Sequence, residues 1–199
     1  MLSDQTHHQA AGLETLLRAL EFSADKHRNK RRKGSDRSPY INHPIEVASI
    51  LANIGGVSNM SVLAAAILHD TIEDTETSPE EVEKAFGEEI CSLVKEVTDD
   101  KRLSRVKRKL LQVKHAPQLS HAAKLIKIAD KISNIKEVTD NPPLRWSVKR
   151  RCEYVDWAER VVAGCRGVNQ GLETCFDEVS RRAREILSIP SSNKDPGII

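Results

Sequence analysis

Aromatic residues are few: two Trp, two Tyr and three Phe make up 4% of the 199 residues. With Ala and Leu abundant and only nine Gly, this composition points to an all-α protein. No apolar run approaches bilayer-spanning length, and no apolar leader precedes the first amphipathic stretch. A soluble, cytoplasmic protein with no membrane partner is therefore expected. The four cysteines, Cys91, Cys152, Cys165 and Cys175, form no Cys-x-x-Cys pair. They are expected to be reduced and packed as small apolar groups. Excess charge of either sign is also missing, since 31 basic against 29 acidic residues leave a formal +2. Bulk electrostatics give no argument for nucleic acid, although local basic clusters suit a small anion.

What is present is helical periodicity. One domain is expected over residues 1–189, with 1–11 frayed and the Ser/Pro/Gly-rich tail 190–199 disordered. Leu13, Leu16, Leu17, Leu20 and Ala24 recur at helical spacing and predict a first helix over Leu13–His27. A second begins near Pro44 and ends at Gly55-Gly56. Val62–Leu68 is apolar on every side, so a helix over Val62–Ile72 is read as buried all round. Ser78-Pro79-Glu80 reads as an N-cap and first turn, carrying a helix to Phe86-Gly87, with another from Glu88 to about Thr98. Lys101–Lys114 is basic with a thin stripe of Val106, Leu110 and Val113. Ala122–Val138, Trp146–Gly164 and Leu172–Leu187 complete the set.

The buried helix poses a chemical question. It runs directly into His69-Asp70, and Glu73-Asp74 follow one turn later. Spacings of three and four crowd all four side chains onto neighbouring faces, where acids repel unless a cation or shared proton relieves them. Either basic side chains pair with them, or they hold a metal. His43 stands in Pro39-Tyr40-Ile41-Asn42-His43-Pro44, and Asp130 follows the apolar run Leu125–Ala129. Asp130 could equally pair with Lys127 or Lys131. Two His with two Asp form a mixed nitrogen and oxygen set that suits Mn²⁺, Fe²⁺ or Zn²⁺ better than Ca²⁺.

Taken in order, His43, His69-Asp70 and Asp130 match the H…HD…D pattern, and the chain resembles the HD-domain metal phosphohydrolases. Arg31-Arg32-Lys33, Leu68–Thr75, Val97–Lys101 and Ile128–Asn134 resemble the hydrolase domain of the RelA/SpoT alarmone enzymes. The resemblance runs from about Leu20 to Leu172 and is nearest to the stand-alone, hydrolase-only branch. It implies a single compact HD-domain fold of roughly eight to ten helices. It also implies hydrolysis of guanosine 3′,5′-bis(diphosphate), ppGpp, or of pppGpp, to GDP or GTP plus pyrophosphate. The implied metal is Mn²⁺, with Fe²⁺ or Zn²⁺ as alternatives, held by His43, His69, Asp70 and Asp130. Glu73 and Asp74 are then the catalytic pair that orients and deprotonates water.

A guanine nucleotide with two diphosphates needs cations. Five of the six residues in Arg28–Lys33 are basic, and the resemblance assigns Arg32 and Lys33 to the pocket and Asn134 to a polar contact near the ribose or metal. Trp146, Arg150 and Tyr154 recur every fourth residue and make one stripe, opposite a core-like stripe of Val148, Cys152, Val155 and Val162. The first stripe either lines a nucleotide pocket or lies on the surface. Arg105 is a further phosphate candidate. Ser133 departs from the family, which commonly has an aromatic or Leu there. The runner-up activity, also associated with this branch, is removal of the 2′-phosphate from NADPH. A silent nucleotide sensor and a nucleic-acid binder are the rivals from other classes, and a homo-oligomer is left open.

Overall fold

The structure, a computed structural model, describes residues 2–188, with side chains from residue 10 onward. The expectation for the tail 190–199 lies outside the described residues, and of 2–9 only the helical backbone is described. Ten α-helical segments follow one another: α1 Leu2–His27, α2 Asn42–Asn53, α3 Met60–Leu68, α4 Thr71–Asp74, α5 Pro79–Phe86, α6 Glu88–Val97, α7 Arg105–His115, α8 His121–Asp140, α9 Val148–Ala163 and α10 Gln170–Ser188. A 3-10 turn, Ala116–Gln118, absorbs Pro117 between α7 and α8. The all-α expectation holds.

Two helices carry the rest. α3 packs against α1, α2, α6 and α8, and every residue from Val62 to Leu68 is buried. α8 packs against α2, α6, α9 and α10, and the expected inward set Leu125, Ile126, Ile128, Ala129, Ile132 and Ile135 is buried. The caps are legible in the residue types: Asn59, Ser78, Ser104, Ser120 and Ser147 each accept a backbone N–H from the first turn of the helix they precede. The four cysteines are free, two of them buried.

Five expectations about faces and ends need correction. α1 begins at Leu2 instead of Leu13, so helical backbone covers residues 2–11, which were expected to be frayed. The helix through the His-Asp pair stops at Leu68 instead of running to Ile72; the Thr71 hydroxyl donates to the Leu68 carbonyl at 2.6 Å, and α4 starts as a separate turn. On α1 the core face is Leu16, Ala19, Leu20, Ser23 and His27, whereas Leu13, Leu17 and Ala24 are exposed. Small Ala19 and Ser23 let the backbone of α1 lie close to its neighbours, and the larger leucines turn outward. On α7 the stripe fails, since Val106 and Leu110 are 70% and 59% exposed and only Val113 packs against the core. Its inward side is polar because it borders a cavity. Val148 is exposed at the start of α9, where the chain has only just left the surface loop, while Val155 and Val162 are fully buried as expected and Cys152 is half-buried.

Candidate active site

Three core helices deliver the histidines and aspartates to one point. His43 comes from the first turn of α2, His69 and Asp70 from the end of α3, and Asp130 from the middle of α8. His43, His69 and Asp130 are all buried, and one ligand atom from each lies within 4.8 Å of the others. His43 Nε2 is 3.2 Å from Asp130 Oδ1, and His69 Nε2 is 3.2 Å from Asp70 Oδ2. Asp70 stands at the edge of this group, with Oδ2 3.7 Å from His43 Nε2 and hydrogen-bonded by the Tyr40 hydroxyl at 2.6 Å.

The donor set fits a divalent cation. The Ala66 carbonyl, 2.7 Å from His69 Nδ1, can only accept, so Nδ1 bears the hydrogen. Its Nε2 is a buried polar atom with no hydrogen-bond partner among the described residues, facing two carboxylates. Electrostatics point the same way. Burial opposes charge on His69, yet Asp70 and Asp130 outweigh it and hold its pKa at about 9. Positive charge is demanded there, whether from a proton or an ion. Burial pushes His43 down, as a nitrogen ligand requires. Asp70 and Asp130 are held well below the usual carboxylate range against the cost of burial, Asp70 chiefly by His69 and Asp130 chiefly by Lys131.

Asp130 takes the lysine pairing that the residue pattern left open, and it also faces the histidine cluster. Its Oδ2 accepts from Lys131 Nζ at 2.6 Å, while Oδ1 accepts from Asn134 at 2.5 Å and faces His43. Asn134 in turn accepts from Arg32 at 3.0 Å, and Arg32 pairs with Glu137. Glu73 and Asp74, from α4, border the same cavity of about 300 Å³. The Asp99 backbone N–H donates to Glu73 Oε2 at 3.1 Å, and Lys101 pairs with Asp74. Burial first, then the Asp70 and Asp99 charges, raise the Glu73 carboxyl above its ordinary pKa.

A second cavity of about 760 Å³ continues from the first, sharing Arg32, Lys33, Glu73, Trp146 and Tyr154 with it. Arg105 and Arg150 line it as well, so the stripe of Trp146, Arg150 and Tyr154 faces a cavity. Trp146, Tyr154 and Trp157 form an aromatic wall with centroids 5.7 and 5.3 Å apart. Cations lie over it: Arg150 4.5 Å and Arg105 5.9 Å from Trp146, and Lys109 4.5 Å from Trp157. Lys33, Arg37, Arg105, Lys109, Arg145 and Arg150 have no ion-pair partner among the described residues. Such a surplus suits a polyanionic ligand.

A sequence model described as the HD domain matches residues 19–159. The chain belongs to the HD-domain family. Its relatives in that family include the guanosine-3′,5′-bis(diphosphate) 3′-pyrophosphohydrolase MESH1 of Homo sapiens, 51% identical over 84% of this chain and 93% of the relative. The Xenopus tropicalis protein of the same name is 48% identical over 82% of this chain and 92% of its own length. Among solved structures, one described as a metazoan ortholog of SpoT that hydrolyzes ppGpp superposes with a TM-score of 0.83. It is 45% identical and covers 84% of this chain and 94% of its own.

This HD-domain site contains residues that sequence reasoning passed over. Tyr40 has no role that the residue pattern reveals, yet its hydroxyl grips Asp70 and its ring stacks on His27 at 4.8 Å. Asp99 and Gln112 are linked at 2.6 Å behind Glu73. Glu46 and Ser133 lie behind His43. Such contacts join distant segments by one hydrogen bond each, and no periodicity marks them in advance. The nearest available signal was Ser133 itself, a small polar residue where the family commonly has an aromatic or Leu.

Proposed function

We propose that this chain is a metal-dependent hydrolase that converts ppGpp or pppGpp to GDP or GTP plus pyrophosphate. One observation carries the reading: a buried His/Asp cluster opens directly into a cavity lined by unpaired cations and aromatic rings. The pyrophosphohydrolase names of relatives at 46–51% identity support it. His43, His69, Asp70 and Asp130 would hold the ion, with Mn²⁺ the first choice and Fe²⁺ or Zn²⁺ also suited to the donors. Once bound, such an ion supplies Lewis-acid stabilisation of the phosphoryl charge and a lower pKa for the attacking water.

The chain's own residues do the rest. Glu73, with its raised pKa and its fixed hydrogen bond from Asp99, accepts a proton from water as the oxygen attacks the phosphorus attached to O3′. The P–O3′ bond breaks, O3′ takes up a proton from solvent, pyrophosphate leaves, and Glu73 returns its own proton to solvent. Asp74, held by Lys101 at the cavity edge, orients the water. Asn134 and Arg32, coupled to Asp130, contact the ribose side of the scissile group. Lys33, Arg105 and Arg150 attract the remaining phosphates, and Tyr154 with Trp146 offers a flat apolar face to the base. A cytoplasmic location goes with this reading, because guanine nucleotides are found there.

The test pairs two substrates on the purified protein with Mn²⁺. Pyrophosphate release from ppGpp is expected, and Asp70→Asn should abolish it. Inorganic phosphate from NADPH with ppGpp left intact would overturn the assignment in favour of a 2′-phosphatase on the same site.

A further inference from the structure

Ser133 has one hydroxyl hydrogen and two partners. Its Oγ lies 2.9 Å from His43 Nδ1 and 2.7 Å from Glu46 Oε2. A carboxylate has no hydrogen to give, so the hydroxyl donates to Glu46 and offers only lone pairs to the imidazole. His43 Nδ1 must then carry the hydrogen. The Nε2 of the same ring is left as a lone pair, directed at the point that it shares with Asp130, 3.2 Å away, and Asp70, 3.7 Å away.

The two histidines of the cluster are thus backed differently. His69 Nδ1 meets the neutral Ala66 carbonyl, whereas His43 Nδ1 meets a hydroxyl that is itself bonded to a carboxylate. Ser133 is 1% exposed and sits on α8, while His43 and Glu46 lie one turn apart on α2. The chain of bonds therefore ties two helices together behind the cluster. It ends on Lys136, one turn beyond Ser133, whose Nζ is 3.5 Å from the other oxygen of Glu46. Outer partners of this kind orient a ligating imidazole and raise its basicity.

We propose that Ser133 and Glu46 are positioning residues for the metal centre. Ser133 fixes the tautomer and ring orientation of His43, and the Glu46 charge, passed through the hydroxyl, strengthens Nε2 as a donor. The proposal rests on His43 being a metal ligand, and it assigns a role to Ser133, one of the positions where the chain leaves the family pattern.

The experiment compares the full-length parent with Ser133→Ala, Ser133→Thr and Glu46→Gln by two readouts that need no turnover. The first is Mn²⁺ affinity by competition with a chelator. Ser133→Ala should weaken binding about 10- to 100-fold, the usual cost of losing an outer-sphere partner. Glu46→Gln, which keeps an acceptor but loses the charge, should weaken it by roughly three- to tenfold, and Ser133→Thr should stay near the parent. The second is the histidine tautomer in long-range ¹H–¹⁵N spectra of the metal-free protein, where His43 should bear its hydrogen on Nδ1. Thermal unfolding in chelator checks that each variant is folded, and Glu46 is exposed enough for Glu46→Gln to fold normally. If Ser133→Ala and Glu46→Gln both bind within twofold of a metal-binding parent, or if the parent carries the hydrogen on Nε2, the relay is wrong. A parent that takes up no divalent ion overturns the metal-site reading itself, and the relay with it.

Discussion

Replacing Lys131 by Met removes the only ammonium within reach of the Asp130 carboxylate among the described residues. Lys131 and Asp130 are 3% and 6% exposed, and their Nζ–Oδ2 distance is 2.6 Å. The variant leaves Asp130 buried with Asn134 and His43 as neighbours and a second carboxylate, Asp70, across the same two histidines. Stripping one partner from a buried pair costs about 3–5 kcal/mol. For a chain of this size each kcal/mol lowers Tm by about 2–4 °C, so the metal-free protein should melt about 6–20 °C lower. Uptake of a proton by Asp130 moves the result towards the lower end of that range. A divalent ion restores positive charge beside the same carboxylate, so the deficit should shrink in saturating Mn²⁺. Some loss persists there, because the ammonium also lies 4.7 Å from the Trp157 ring. Circular dichroism melts in chelator and in Mn²⁺ give the two numbers. A fall under about 2 °C in chelator, or an equal fall in both buffers, would refute the charge balance described here.

Glu73→Gln should lower kcat by about 10²- to 10⁴-fold, the range for losing a general base, while metal affinity measured by titration stays within a few-fold; a variant keeping a tenth of parental kcat would count against Glu73. The pH profile of kcat/KM should be bounded on both sides. On the acid side activity rises only as Glu73 loses its proton, above the ordinary carboxylate range, because burial and the Asp70 and Asp99 charges raise its pKa. On the alkaline side Lys109 must stay protonated to attract phosphate, and burial with the Arg105, Lys131 and Arg150 charges brings its pKa down to about 8, so kcat/KM should fall above that pH. Lys109→Gln should lower the maximum and remove the alkaline limb; a limb left in place assigns it to another group. Gly34→Ala should destabilise the loop beside the pocket by about 1–3 kcal/mol in urea melts, since a Cβ there would lie 2.6 Å from the Asn141 carbonyl oxygen; an unchanged midpoint would show that Asn141 yields freely.

The family resemblance and the helical content were both legible in residue types and spacing. Val62–Leu68 is buried on all sides in the fold as it reads in the chain, and Ser78 caps α5 through its hydroxyl as its position before Pro79 implies. Local chemistry decides such features, because a cap or an apolar run needs only its immediate neighbours. Faces were less legible where size competed with polarity. On α1 the buried line runs through Ala19, Ser23 and His27, since close helix packing favours small residues over the leucines that hydrophobicity alone would select. On α7 the exposed Val106 and Leu110 lie away from a wall of arginine and lysine that faces the large cavity.

The sequence by itself determined which atoms are available: two imidazoles, the carboxylates after the buried helix, Asp130 and the basic run before His43. Only the tertiary structure decided their pairing. It set Asp130 between Lys131 and His43, hung Asp70 from the Tyr40 hydroxyl, and placed Ser133 between His43 and Glu46. The physical reason is range. Helix formation and capping are settled within a few residues, whereas each of these hydrogen bonds, apart from the adjacent Asp130–Lys131 pair, depends on how α2, α3 and α8 cross, and that crossing is set by the packing of the whole core.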